Sequence, residues 1–304
     1  MTSPALDHRL SWYEASARNR IAAFVDTGTF AEFIGPERRE TSPHLPIFDL
    51  PRQFDDGIAV GAARLDGRPI LIAAQEGRFM GGAIGEVHGA KLTGLLRAAA
   101  TLGRDVVIAF DTGGVRLQEA NAGELAIAEI MRAVLDARAA GASVVGLIGG
   151  RAGCYGGGSL IAGCCSALII SEQGRLSVSG PEVIETNRGV EEFDSRDRAL
   201  VWRTMGGKHR YLIGAVDAFV NDDAAAFRAA ALLALDRPAT MDAAVLDAEQ
   251  ARLERRLSRL GNAIDGRDAW TTLGVRDAEA IPDLATPAFL AAAASFRESA
   301  DDAR

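Results

Sequence analysis

The chain has 304 residues, enough for one large domain or two small ones, and 48% of them are hydrophobic, ample for a sizeable core. With 41 acidic against 33 basic residues the formal charge is −8, which argues against a general nucleic-acid binder. The 3 cysteines, Cys154, Cys164 and Cys165, are odd in number and lack CxxC spacing, so a disulfide framework or zinc ribbon is not expected and reduced thiols in a cytoplasmic protein are.

Residues 1–9 hold no apolar run, so no secretory signal is expected. The spacing of Ser11 and Glu14 is that of a capping box and opens an amphipathic helix to about Val25, which Gly28 ends. Pro36, Pro43, Pro46 and Pro51 make 35–54 an irregular arm. From 57 to 75, two alternating runs flank Asp66-Gly67, a hairpin signal. A glycine-rich loop, 77–85, leads into a helix from 86 to about 102.

Two units of strand, glycine cluster and helix-like run follow. In the first, residues 106–110 precede Thr112-Gly113-Gly114-Val115-Arg116; in the second, 144–148 precede Tyr155-Gly156-Gly157-Gly158-Ser159. Their recurrence implies right-handed crossovers in a parallel sheet or a spiral of such units. Residues 152–171 are uncharged and long enough to span a bilayer, but the glycines and Ser159 make them a buried loop, short helix and strand. Short strands are expected at 167–170, 175–178 and 215–220, short helices between 181 and 214, helical spacing over 222–260, and a weak helix near 287–298. The chain thus divides into an N-terminal helix and arm (1–56), an α/β domain (57–236) and a helical extension (237–304).

Bare glycine at a strand-to-helix junction lets a ligand approach backbone N–H groups, and a helix start adds positive potential. Two such junctions facing one another can hold one oxyanion between two amides, the site type that stabilises an enolate or a tetrahedral intermediate. Taken alone, Gly156-Gly157-Gly158 reads equally well as close packing of helix on strand. No nucleophile elbow with a triad, no GxxxxGK[ST] loop and no metal-ligand spacing is present, so no metal is expected.

The histidines divide into His8 and His44, expected at the surface, His88 near the glycine loop, and His209. For His88 two readings stand: a locally satisfied polar residue, or a proton donor to a nascent carbanion. Lys208-His209-Arg210 is either solvated surface or a contact for phosphates, which favour Lys and Arg. Arg116 either neutralises a carboxylate or orients a neighbouring loop, and Asp111 reads as an N-cap.

Met80-Gly81-Gly82-Ala83-Ile84-Gly85-Glu86-Val87-His88-Gly89-Ala90-Lys91 resembles the GGSMGSVVGAR-type stretch of carboxyltransferase β subunits. Gly113-Gly114-Val115-Arg116-Leu117-Gln118-Glu119 resembles their GGARMQE segment, Ser179-Gly180-Pro181-Glu182-Val183-Ile184-Glu185 their AGPRVIE, and Tyr155-Gly156-Gly157-Gly158 the YGGA of acyl-CoA carboxylases. The pieces span 75–220 in the right order. Cysteine is absent before Cys154, unlike the zinc-ribbon start of bacterial acetyl-CoA carboxylase β subunits. Within the family the chain most resembles β subunits of biotin-independent malonate decarboxylases, through the lead-in at 12–33, the run 149–158 and the segment 179–187.

The resemblance implies a crotonase-like spiral of ββα units with flanking helices. It implies an oxyanion hole at Gly113 or Gly114 and at Gly156, Gly157 and Gly158. Beside these, Gly81, Gly82, Arg116, Gln118 and Tyr155 are expected at the substrate site, and Lys208 and Arg210, by their charge, at the phosphates of a thioester carrier. Hydratases of this superfamily place a glutamate where Leu160 stands, so water addition is disfavoured. Three functions follow as expectations: decarboxylation of a malonyl thioester on an acyl carrier protein, carboxyl transfer from carboxybiotin, or a scaffold without catalysis. The first needs no directly bound cofactor, only a phosphopantetheine-type thioester. Its expected partners are a γ subunit of related fold, the carrier protein and an acyl-carrier transferase α subunit, with no nucleic acid and no membrane.

Overall fold

The computed structural model describes residues 10–49, 53–237 and 241–297. The expectations for residues 1–9, His8 among them, for Pro51 and for residue 298 lie outside the described residues.

Helix α1 (Ala17–Phe24) and the short strand β1 (Ala31–Glu32) precede the hairpin β2 (Ile58–Leu65) and β3 (Arg68–Gln75). Its turn is made by Asp66 and Gly67, both at positive φ (54° and 74°), as a tight hairpin with right-handed strand twist requires. Then come α2 (Glu86–Leu102), β4 (Val106–Phe110), α3 (Asn121–Ala139), β5 (Val144–Ile148), β6 (Cys154–Tyr155) and α4 (Gly157–Gly163). They are followed by β7 (Ala167–Ser171), β8 (Leu176–Ser177), α5 (Pro181–Arg188), α6 (Arg198–Met205), α7 (Gly207–Leu212) and β9 (Ala218–Val220). Helices α8 (Ala224–Leu235), α9 (Ala243–Leu260), α10 (Gly266–Thr272) and α11 (Thr286–Ala293) complete the chain.

The main sheet has the order β1-β2-β3-β4-β5-β7-β9, antiparallel at the hairpin and parallel from β3 onward. A second, narrow layer of parallel pairings joins Ile84 to Val115, Thr112 to Cys154, and β6 to β8. Each turn of the chain thus gives one strand to the broad sheet and a shorter one to the narrow layer before its helix, which is the ββα spiral expected.

Strand β4 is apolar at every position because both its faces are covered. Val106, Ile108 and Phe110 join a core with Leu92 and Leu96 of α2 and Ile130 and Val134 of α3. Val107 and Ala109 face the other core, with Ile21 and Phe24 of α1 and Phe227 of α8. Among the described residues no helix is long and apolar enough to cross a membrane, and 152–171 divide into β6, α4 and β7 with their connections.

Two local expectations are corrected. Helix α1 starts at Ala17 under Ser16, whose hydroxyl accepts the Asn19 N–H, while Ser11 caps only a turn and gives its proton to Asp222 (2.6 Å). Helix α3 starts at Asn121, not directly after Gly113-Gly114, because Gly114 and Arg116 are held in a strand-like bridge to Ile84. Helix α10, not anticipated, is opened by a capping box of Asp265 and Asp268.

Candidate active site

The two glycine turns touch. Tyr155 N–H donates to Thr112 O (3.0 Å), so the chain entering α4 runs beside the chain leaving β4. Gly114 has φ 117° and Gly156 has φ 53°, both in the region that side-chain-bearing residues avoid. A Cβ on Gly114 would lie 3.3 Å from the Gly156 Cα, and one on Gly156 would lie 3.2 Å from the Gly114 Cα. Bare backbone is required on both sides of this contact.

Hydrogen bonding decides which amides are available. Gly113 N–H donates to Gly81 O (2.9 Å), Gly114 N–H to Thr112 Oγ1 (3.0 Å) and Gly156 N–H to Val178 O (2.9 Å). The expected donors at Gly113, Gly114 and Gly156 are therefore spent on structure. Among the described residues, the N–H groups of Val115, Gly157 and Gly158 have no acceptor. The latter two open α4, where no intrahelical partner exists and the helix end is positive. The Val115 nitrogen lies 3.9 Å from where a Gly156 Cβ would sit, and Gly156 directly precedes the first of the two free amides of α4.

Close packing also explains two of these glycines. A Cβ on Gly157 would come within 1.9 Å of Ile127 Cδ1, and one on Gly158 within 2.3 Å of Thr112 Cγ2. Gly113 is exposed, Gly156 and Gly157 are half-buried, and the flanking Leu117, Leu160 and Val178 are exposed. The turns thus lie on an open apolar face of this chain.

Behind them lie two buried ionic braces. Arg116 Nη1 meets Asp55 Oδ2 at 2.6 Å and Glu119 Oε1 at 2.8 Å, and Arg116 Nη2 donates to Ala83 O at 2.8 Å. The three side chains are 1%, 3% and 0% exposed. Burial would raise the Asp55 pKa, but the adjacent Arg116 guanidinium holds it below the ordinary carboxylate value. Glu119 also accepts the Glu86 N–H (2.5 Å) and so caps α2. In the second brace, Arg20 Nη1 lies 2.8 Å from Asp111 Oδ2, and Asp111 Oδ1 accepts the Ala152 N–H (2.6 Å).

Several expected site residues do other work. Arg116 is a brace, its guanidinium already paired with Asp55 and Glu119. Asp111 is not a helix N-cap but joins β4 to the 150–153 turn. Gly81 supplies the carbonyl for Gly113, and Gly82 is buried where a Cβ would strike Asp111 O. Gln118 is exposed and lines a cavity of about 160 Å³ with Met80 and the Arg116 triad.

His88 is 0% exposed. Gln75 Oε1 accepts the Asp111 N–H, which turns the Gln75 amide nitrogen toward His88 Nε2 (3.2 Å). Burial, partly offset by Asp55, pushes the imidazole pKa down to about 3. A neutral, enclosed ring does not deliver a proton to the open turns. His44, by contrast, is part-exposed and pairs with Glu86 (2.9 Å).

Tyr155 packs with Val201 and Met205 of α6, its hydroxyl buried and without a partner among the described residues. Lys208 Nζ donates to Pro282 O (2.6 Å) and Leu284 O (2.7 Å) and pairs with Glu172 (2.9 Å). It anchors the segment before α11, and a phosphate would have to displace those bonds. His209 accepts the Trp270 indole N–H (3.2 Å), and burial pushes the Arg210 pKa down to about 10. The 208–210 cluster is thus packed inward and is not a basic surface patch.

Spiral and paired turns together define a crotonase-like α/β protein. The sequence pattern of the carboxyl transferase domain family matches residues 14–254. Malonyl-S-ACP:biotin-protein carboxyltransferase MADC of Malonomonas rubra is 39% identical over 93% of this chain and 95% of its own length. A chain of a Pseudomonas malonate decarboxylase hetero-tetramer, crystallised with malonate, superposes with a TM-score of 0.74 at 40% identity, covering 83% of this chain and 91% of that one. A chain of the Pseudomonas MdcD-MdcE hetero-dimer gives 0.65 at 35% identity, covering 86% and 100%. The chain belongs to the carboxyl transferase domain family.

Proposed function

We propose that the chain is the β-type subunit of a malonate decarboxylase and acts on a malonyl thioester carried by an acyl carrier protein. Cleavage of the bond between the carboxylate and the α-carbon releases CO2 and leaves its electron pair on the α-carbon, delocalised onto the thioester oxygen. The N–H groups of Val115 and of Gly157 or Gly158 hold that oxygen as it gains charge. Preorganised donors are strongest in a water-excluded site, and losing one costs about 10²–10³ in rate. The α-carbon then takes a proton from water or from a group on the partner chain, giving the acetyl thioester. No general base is needed to begin, which suits Leu160 at the position where hydratases carry a glutamate.

The observation that carries this reading is the set of acceptor-free amides at two turns in van der Waals contact. The exposed Leu117, Leu160 and Val178 around them suit a site completed by a second subunit of related fold. The hetero-oligomeric relatives favour such a partner, with a carrier protein and its acyl-transferring subunit beside it.

A second reading has a specific observation in its favour. The Malonomonas relative is named for passing the carboxyl group from malonyl-S-ACP to a biotin protein. Both readings share the enolate and differ in the fate of CO2. Avidin added to the complex with malonyl carrier protein separates them: turnover persists if the carboxyl group leaves as CO2, and stops if biotin must take it.

A further inference from the structure

We infer that Arg116 is a positioning residue that sets the placement of the Val115 N–H, an inference that rests on the enolate reading above. The turn bearing Val115 has no regular secondary structure of its own. It is templated on the loop 81–84 by three backbone bonds: Gly113 N–H to Gly81 O (2.9 Å), Ile84 N–H to Gly114 O (2.8 Å) and Arg116 N–H to Ile84 O (2.9 Å). The template is only a single, distorted 3-10 turn, Met80–Gly82, with Met80, Gly81 and Gly82 in succession at positive φ (49°, 66° and 69°). Within the loop Gly82 N–H donates to Phe79 O (2.9 Å) and Ala83 N–H to Met80 O (3.2 Å), and a group outside it grips it as well.

Arg116 does so from both ends. Its backbone N–H grips Ile84, and its Nη2 grips the neighbouring carbonyl of Ala83 at 2.8 Å. Its Nη1 is fixed by Asp55 and Glu119, and Glu119 in turn caps the first amide of α2, whose N-cap Gly85 has no capping side chain. A Cβ on Gly85 would strike both Glu119 and Arg116, so the network is packed tightly against the loop. One planar guanidinium thus ties Asp55, Ala83 and Glu119 together in a dry environment, next in sequence to the donor. A lysine has a single point of attachment and cannot reproduce this fork.

The test is steady-state decarboxylation by the assembled complex, with Arg116→Lys and Arg116→Gln beside wild type. A donor displaced by an ångström costs about 10²-fold in turnover. The expected result is a kcat loss of that order with KM for malonyl carrier protein within about threefold. Amide exchange of the folded variants should rise at 84, 113, 114 and 116 and not in β4 or β5. Unchanged kcat and unchanged exchange in a folded variant overturn the inference, as does a KM increase accounting for the whole loss, which would make Arg116 a substrate ligand. Should neither Arg116 variant fold, Glu119→Gln is measured instead: lost turnover supports the brace, and wild-type turnover with wild-type exchange overturns it. A wild-type complex that releases no acetyl product refutes the enolate reading, and the exchange data then still decide the role of Arg116.

Discussion

Arg20 and Asp111 meet at 2.8 Å with their side chains 1% and 3% exposed, linking α1 to the residue that leads out of β4 into the first glycine turn. The same carboxylate accepts the Ala152 N–H ahead of the second turn, so one buried aspartate braces both. Carbon added at Gly77 or Gly150 would collide with it. Removing one member of a buried ion pair leaves an uncompensated charge. Asp111→Ala is predicted to cost about 3–5 kcal/mol, and Asp111→Asn, which keeps an acceptor for Ala152, less. Urea unfolding measures both; equal, small losses would show that the pair is not a brace.

The contact between Gly114 and Gly156 predicts how alanine behaves there. Each substitution places a Cβ 3.2–3.3 Å from the opposite turn at a positive φ. Gly114→Ala and Gly156→Ala should each lower stability by about 1–3 kcal/mol and, by parting the turns, slow turnover. Unfolding curves and decarboxylation rates of the same preparations check this. Gly157→Val is a poorer experiment, because its side chain would meet Ile127 and disturb α4 packing on α3 whatever the role of its amide.

Ala120 caps α3 at φ 47°, ψ −134°, nearly the conformation of Gly156 (53°, −132°) at the start of α4. The two successive units thus enter their helices alike, but one uses a residue with a Cβ. Relief of about 1–3 kcal/mol of strain outweighs the roughly 0.5–1 kcal/mol entropic cost of glycine. Ala120→Gly should therefore stabilise the chain by about 1 kcal/mol, seen as a higher urea midpoint at constant slope.

Much of the spiral was legible from runs such as 106–110 and 144–148, apolar at every position because helices cover both faces. Asp66-Gly67 marked the hairpin because both residues must take positive φ. The glycine clusters pointed to paired turns, but not to which amides stay free. That depends on Gly81, Thr112 and Val178, which reach the turns only through tertiary pairing. The partner of Arg116 was likewise hidden: Asp55 lies 61 residues away in an irregular arm with no periodicity to flag it. Charge alone made Lys208 and Arg210 look like a surface patch, since composition does not reveal that carbonyls of 282 and 284 fold over the lysine.

His88 gives the chain a pH dependence. Its pKa is about 3 when folded and 6.5 ordinarily, so between these values the unfolded chain takes up a proton that the folded chain refuses. Stability therefore falls as pH drops from about 6.5 toward 3, by about 1.4 kcal/mol per unit for this residue. The depressed Asp55 pKa adds a loss only at lower pH, below its ordinary 3.8. Between pH 7 and 5, His88→Gln should lose roughly 2 kcal/mol less stability than wild type. An identical loss in the two proteins would mean that the imidazole titrates freely.

The most direct test of amide-held enolate chemistry is mass spectrometry of malonyl carrier protein before and after incubation with this chain, its partner subunit and avidin. The predicted result is conversion of the bound malonyl group to acetyl with the partner present, and strong slowing when Gly114 or Gly156 is replaced by alanine. A malonyl group that survives intact with the assembled complex, or is lost equally fast with the alanine variants, contradicts the account.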